Sequence, residues 1–201
     1  MIDYESALVA IEKAIFSPAT VTVAMGELVD HCASQMPGDH WKAIKDLPWE
    51  KSIDELQGWV EKILQTEPPD DDVDALYFGV YYPETDDGSP RIPVLYFAGT
   101  DSFDGDEWTV TPAYAPEGMD HDSPLLVDLH TRLGAVSEAV QLLGNYVLSF
   151  GYICLVGREL ARRVDRALLV GGRKLRHLAC GFEGAEYFNL GRLKPDSTEL
   201  E

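Results

Sequence analysis

Between Glu138 and Arg158 lie 19 residues without a charged side chain, AVQLLGNYVLSFGYICLVG. A segment this long and apolar must leave water, so the rest of the chain has to enclose it or a bilayer has to take it. Its length and Arg-rich flank suit a transmembrane helix. Gln141, Asn145, Ser149 and the glycines Gly144, Gly151 and Gly157 argue against one. So do the strand-like segments on both sides, which would have to fold across a bilayer from each other. A helix apolar all round that forms the centre of a soluble core has the same pattern, and is the reading adopted. Positions 136, 140, 143, 147, 150 and 154 carry its helical periodicity, and Gly144 and Gly151 predict a kink or a division into two helices.

The elements needed to enclose it are legible on either side. A helix is predicted over 3–16, with Tyr4, Leu8, Ile11 and Ile15 as its stripe, and Ser17-Pro18 stops it. A second covers about 22–35. Ser52-Ile53-Asp54-Glu55 reads as a capping box opening a third, with Leu56, Val60, Ile63 and Leu64 on one side. Glu67-Pro68-Pro69-Asp70-Asp71-Asp72 is a boundary, dividing a helical lobe over 1–66 from a body over 67–201. Strands are expected at Ala75–Tyr82, Ile92–Ala98 and Trp108–Tyr114, the first two antiparallel across a short Asp-Gly turn. Ser123-Pro124 starts another helix. Ala167–Val170, Leu175–Phe182 and Glu186–Leu190 read as strands, the last two as a hairpin, with a tight turn at Gly171-Gly172. The expected class is α+β: N-terminal helices, and an antiparallel sheet of a central three-strand segment and a C-terminal hairpin, packed on the long buried helix.

Charge restricts the partners. The chain has 201 residues and a net charge of -19. Residues 1–130 hold 27 acidic and 6 basic side chains, and 131–201 hold 8 and 10; within 67–128 a single base, Arg91, stands among 16 acids. Such a surface repels phosphodiester backbones and anionic lipid, so neither nucleic acid nor membrane is an expected partner. It suits either solubility or electrostatic attraction of a basic protein. The basic cluster Arg158, Arg162, Arg163, Arg166, Arg173, Lys174 and Arg176 is expected to pair internally with the acidic half.

No catalytic motif is present: no G-x-S-x-G, Walker A, G-x-G-x-x-G or H-E-x-x-H. The loop Thr100–Glu107 fails the EF-hand pattern, because Phe103 and Gly105 fall where oxygen ligands are required when the loop starts at Asp101. Asp120-His121-Asp122 carries the alternative of a metal-dependent hydrolase, without companion ligands at a recognisable spacing. A purely structural or adaptor role is the third class. Cys32, Cys154 and Cys180, odd in number and without C-x-x-C, suit reduced thiols in a cytoplasmic protein, and no secretory leader opens the chain. No cofactor, metal or catalytic residue is assigned.

In size, acidity and a strand–helix–hairpin layout ending in RHLACGFEGAEYFNLG (176–191), the chain resembles bacterial immunity proteins of polymorphic-toxin systems. The resemblance implies a non-enzymatic inhibitor that occludes a basic cognate toxin or effector. Its contact face would be Asp70, Asp71, Asp72, Asp74, Glu84, Asp86, Asp87, Asp101, Asp104, Asp106, Glu107 and Trp108. Carboxylates would set the association rate, and aromatic anchors such as Trp108 the residence time.

Overall fold

The computed structural model describes residues 2–83, 92–103, 112–184 and 186–200. The first helices are α1 (Tyr4–Ile15), α2 (Val21–Gln35), α3 (His40–Lys45) and α4 (Ile53–Thr66). Strands β1 (Ala75–Tyr81), β2 (Val94–Thr100) and the short β3 (Asp120–His121) follow. Helix α5 (Pro124–Gly134) leads to α6 (Glu138–Arg163), and α7 (Arg166–Val170) precedes β4 (Arg176–Phe182), β5 (Tyr187–Leu193) and β6 (Thr198–Leu200). The fold is α+β, with α6 between the sheet and the N-terminal helices.

The uncharged run is the core of α6, and 72% of its most apolar window lies inside the protein. Helices α1, α2 and α4 pack on one side of it and strands β1, β4 and β5 on the other. Its hydrophobicity is thus matched by protein on both sides. Leu76, Phe78, Val80, Phe97, Leu178, Cys180 and Leu190 face it from the sheet, and one core cluster extends from them to Ile11, Leu28, Trp49 and Val60.

The three glycines of the run are sites of close approach. A Cβ on Gly144 would lie 2.6 Å from Leu133 of α5, on Gly151 2.3 Å from Leu28 of α2, and on Gly157 2.4 Å from Cys180 Sγ of β4. Each glycine therefore brings a different neighbour onto the helix. The expected irregularity is a π-helical turn at Asn145–Ser149, directly after Gly144. It does not divide the helix.

The sheet order is β3-β2-β1-β4-β5-β6. Strands β1 and β2 pair antiparallel, Ala75 opposite Thr100, and β4 and β5 form the hairpin. The two parts join through a parallel pair, β1 with β4, Ala75 opposite His177. The sheet is therefore mixed where antiparallel pairing throughout was expected. A parallel join needs a long crossover, and helices α5 to α7 provide it. Beside β2, Tyr114 bridges Gly99 and β3 then takes up the edge; residues 108–111 of the expected third strand lie outside the described residues.

Three local expectations are corrected. Ala167–Val170 belongs to helix α7, because the Asp165 carboxylate caps the Ala167 amide at 2.9 Å and Gly171 ends the turn at φ +59°. Ser52 precedes α4, but its hydroxyl meets Tyr152 Oη and the Trp49 carbonyl, so the capping box is not formed. On α1 the buried stripe is Ala7, Ile11, Ala14 and Ile15; Tyr4 is 46% exposed and Leu8 only half-buried.

Buried Arg158 ties the end of α6 to the chain between α1 and α2. Its Nη1 donates to the carbonyls of Ile15 (2.9 Å) and Ser17 (2.8 Å), and its Nη2 to that of Ala19 (2.8 Å). Truncation would leave these acceptors without their donor. Arg158→Ala is expected to lower stability by about 3 kcal/mol or more, measured by urea unfolding. Gly157→Ala should cost roughly 1–3 kcal/mol despite alanine's better helix propensity, because overpacking against Cys180 outweighs that gain. An unchanged urea midpoint in either variant would contradict these packing roles.

Candidate functional site

Of the twelve residues assigned to a partner face, Glu84, Asp86, Asp87, Asp104, Asp106, Glu107 and Trp108 lie outside the described residues. The other five converge at one end of the sheet. Pairing of Ala75 with Thr100 sets Asp74 and Asp101 side by side, and the Asp74 amide donates to the Thr100 carbonyl at 2.7 Å. Asp70, Asp71 and Asp72 lead into this corner, and their side chains are exposed, as is that of Asp101.

The corner is held from below by cations. Fully buried Arg176 donates through Nη2 to the carbonyls of Asp70 (2.8 Å) and Pro69 (3.1 Å), and through Nη1 to that of Leu169 at 3.4 Å. Arg173 contacts the Asp71 carbonyl and forms an ion pair with Asp74. Burial, and then Arg173 nearby, lowers the Arg176 pKa from its ordinary value, against the opposing pull of Asp71 and Asp70. The expected pairing of the basic cluster with the acidic half thus holds for Arg173 with Asp74 and Arg163 with Asp54, while Arg162 and Arg158 pair with Glu159, outside that half. Arg158 adds three backbone carbonyls to its pair, and the hydrogen bonds of Arg176 described above go to backbone carbonyls. The acidic run is fixed by its main chain, and Asp70, Asp71 and Asp72 present their carboxylates to water. The basic cluster pointed to Arg173 and Arg176 as partners of the acidic half, but not to main-chain carbonyls as the acceptors of Arg176.

The sheet face turned away from α6 is aromatic. Tyr77, Tyr96, Ala98 and Ala179 form a second buried cluster with Tyr81, Phe103 and Tyr187 beside them. Gly79 opens space for it: a Cβ there would fall 2.1 Å from the Tyr96 ring. The Tyr77 hydroxyl donates to the Phe182 carbonyl at 3.0 Å, and Phe103 stacks on His177 with ring centroids 4.6 Å apart. Burial raises the pKa values of Tyr77 and Tyr96, so both remain neutral phenols. These aromatics serve as packing within the chain.

Asp120 and His121 form β3, where a loop was expected. Glu55 approaches His121 at 3.6 Å and Trp59 lies against its ring. Among the described residues no three His, Cys, Asp or Glu side chains converge as metal ligands. The cysteines are equally unsuited to nucleophilic chemistry: all three are buried, and burial pushes the Cys32 thiol up to about 12. No family model matches the chain, and neither a curated protein sequence nor a solved structure matches it.

Asp120 titrates abnormally. Burial raises its pKa above the ordinary carboxylate value, outweighing the hydrogen bond from Tyr81, and neighbouring Asp122 adds to the rise. A carboxyl whose folded pKa exceeds its unfolded one binds more protons when folded, so its contribution falls as pH rises through that interval. Asp120→Asn is therefore expected to be more stable than the native chain at pH 7, with the gap closing below about pH 3.9. Thermal unfolding across pH checks this; a constant gap would refute the titration.

Proposed function

We propose that the protein is a non-enzymatic inhibitor that binds a basic protein partner through its acidic surface, acting as a cytoplasmic immunity protein against a toxin or effector. The observation that supports this reading most is the placement of the buried arginines. Arg176 directs its bonds to main-chain carbonyls at the acidic corner, Arg158 joins carbonyls to a pair with Glu159, and with 35 carboxylates against 16 Lys and Arg the acidic excess is left at the surface. At the sheet corner Asp70, Asp71, Asp72 and Asp101 are exposed on a backbone held by Arg173 and Arg176. Carboxylates on a fixed backbone favour fast capture of a cationic surface, since their field is already oriented. Their repulsion of anionic polymers contributes selectivity.

The partner is sought by co-expression with the product of the neighbouring gene, followed by affinity purification and binding kinetics. Association is expected to slow steeply with salt. Neutralising Asp70, Asp71, Asp72 and Asp101 to asparagine should lower the association rate by roughly tenfold or more, with a smaller effect on dissociation. Binding that responds neither to salt nor to these substitutions would refute the charged-face mechanism.

A further inference from the structure

Helix α1 has a second face that the core uses only in part, through Leu8. Ala7, Ile11, Ala14 and Ile15 are buried, whereas Glu5, Leu8, Val9 and Glu12, spaced i, i+3, i+4 and i+7, form a separate stripe. That stripe is one wall of an open groove of about 730 Å³; Gly184, Glu186, Tyr187 and Phe188, from the β4–β5 turn and the start of β5, form the other. Val9 is 61% exposed, and Tyr4 on the same helix is 46% exposed. Half-buried Leu8 and Phe188 make the apolar surface continuous across the groove. Among the described residues, every charged side chain lining it is a carboxylate: Glu5, Glu12 and Glu186.

Apolar surface between three carboxylates has a definite complement. We infer that the groove between α1 and β5 seats a cationic amphipathic helix of a protein partner. Its leucine-like side chains lie on Leu8, Val9 and Phe188, and its Lys or Arg side chains reach Glu5, Glu12 and Glu186. A hydrophobic centre with a charged rim is the common anatomy of a specific protein interface. Two other occupants are disfavoured by the same charges. Anionic lipid is repelled, and a second copy docked symmetrically would set Glu5 and Glu12 against their own counterparts. The inference rests on the reading of the protein as a binder of basic partners and places an anchor away from the Asp70–Asp74 corner.

The test uses the intact protein and two fluorescent synthetic helical peptides of equal positive charge, one Lys/Leu amphipathic and the other with serine for every leucine. Fluorescence anisotropy is expected to show the leucine peptide binding about tenfold more tightly, as burial of a few apolar side chains requires. Val9→Lys and the double variant Glu5→Gln/Glu12→Gln should each weaken it by about tenfold, with an unchanged thermal midpoint because the side chains are exposed. Asp70→Asn/Asp71→Asn/Asp72→Asn should change it by less than about threefold. Equal binding of both peptides, or loss in the Asp70–Asp72 variant but not in the groove variants, overturns the groove while leaving the acidic-surface reading intact. Binding insensitive to salt and to every variant overturns both. A Val9-dependent dimer in sedimentation, with no peptide binding, assigns the groove to a second copy and overturns the inference.

Discussion

Arg158 and Arg176 are buried cations whose main partners are backbone carbonyls, and the arrangement of the chain follows from that choice. Arg158, near the end of α6, gathers the carbonyls of Ile15, Ser17 and Ala19 and so fixes the passage from α1 into α2. Arg176, at the start of β4, gathers those of Pro69, Asp70 and Leu169 and fixes the entry into β1. Carbonyls can take the donors of a buried guanidinium without a second charge, as they do for both Nη atoms of Arg176, whereas Arg158 adds an ion pair with Glu159 at 3.2 Å. Segments distant in sequence are thereby tied to the two elements at the centre of the molecule. The surface has a separate cause: 35 carboxylates stand against 16 Lys and Arg, so an acidic excess faces solvent whatever acceptors the buried arginines take.

Helix α6 has a matching role in packing. Its glycines let α5, α2 and β4 approach its backbone at three successive levels, through Leu133, Leu28 and Cys180. A helix with larger residues there would keep these neighbours further away and leave voids on a layer that is otherwise closely packed. The intrinsic helix penalty of glycine is offset by contacts from both sides. The helix that most resembles a membrane span is therefore the one with protein on opposite faces.

Much of this was readable before any fold was known. Helical stripes located α1, α4 and α6, the Ser-Pro cap located α5, and apolar, aromatic-rich runs between turn residues located β1, β2, β4 and β5, because these are local signals. The departures have physical causes. Ala167–Val170 was expected as a strand but is helical, since Ala and Leu favour helix and Asp165 supplies a cap. The Ser52 hydroxyl was expected at a helix amide, yet it meets Tyr152, a residue distant in sequence. On α1 the stripe of large residues is rotated from the buried one, which is the departure that exposes Val9 and half of Tyr4. Of the acidic face, the convergence of Asp70–Asp74 with Asp101 follows from strand register, and the basic cluster announced pairing with it but not the bonds of Arg176 to main-chain carbonyls.

The sequence by itself determined that this chain is an acidic α+β protein built around one uncharged helix, because length, charge and periodicity are local properties. Tertiary structure decided the rest. It joined two antiparallel parts through the parallel β1–β4 pair, and it directed the buried arginines to carbonyls. It also left an acidic groove between α1 and β5. Each depends on which distant segments meet, and hydrogen bonding and close packing settle that only when the whole chain is in place.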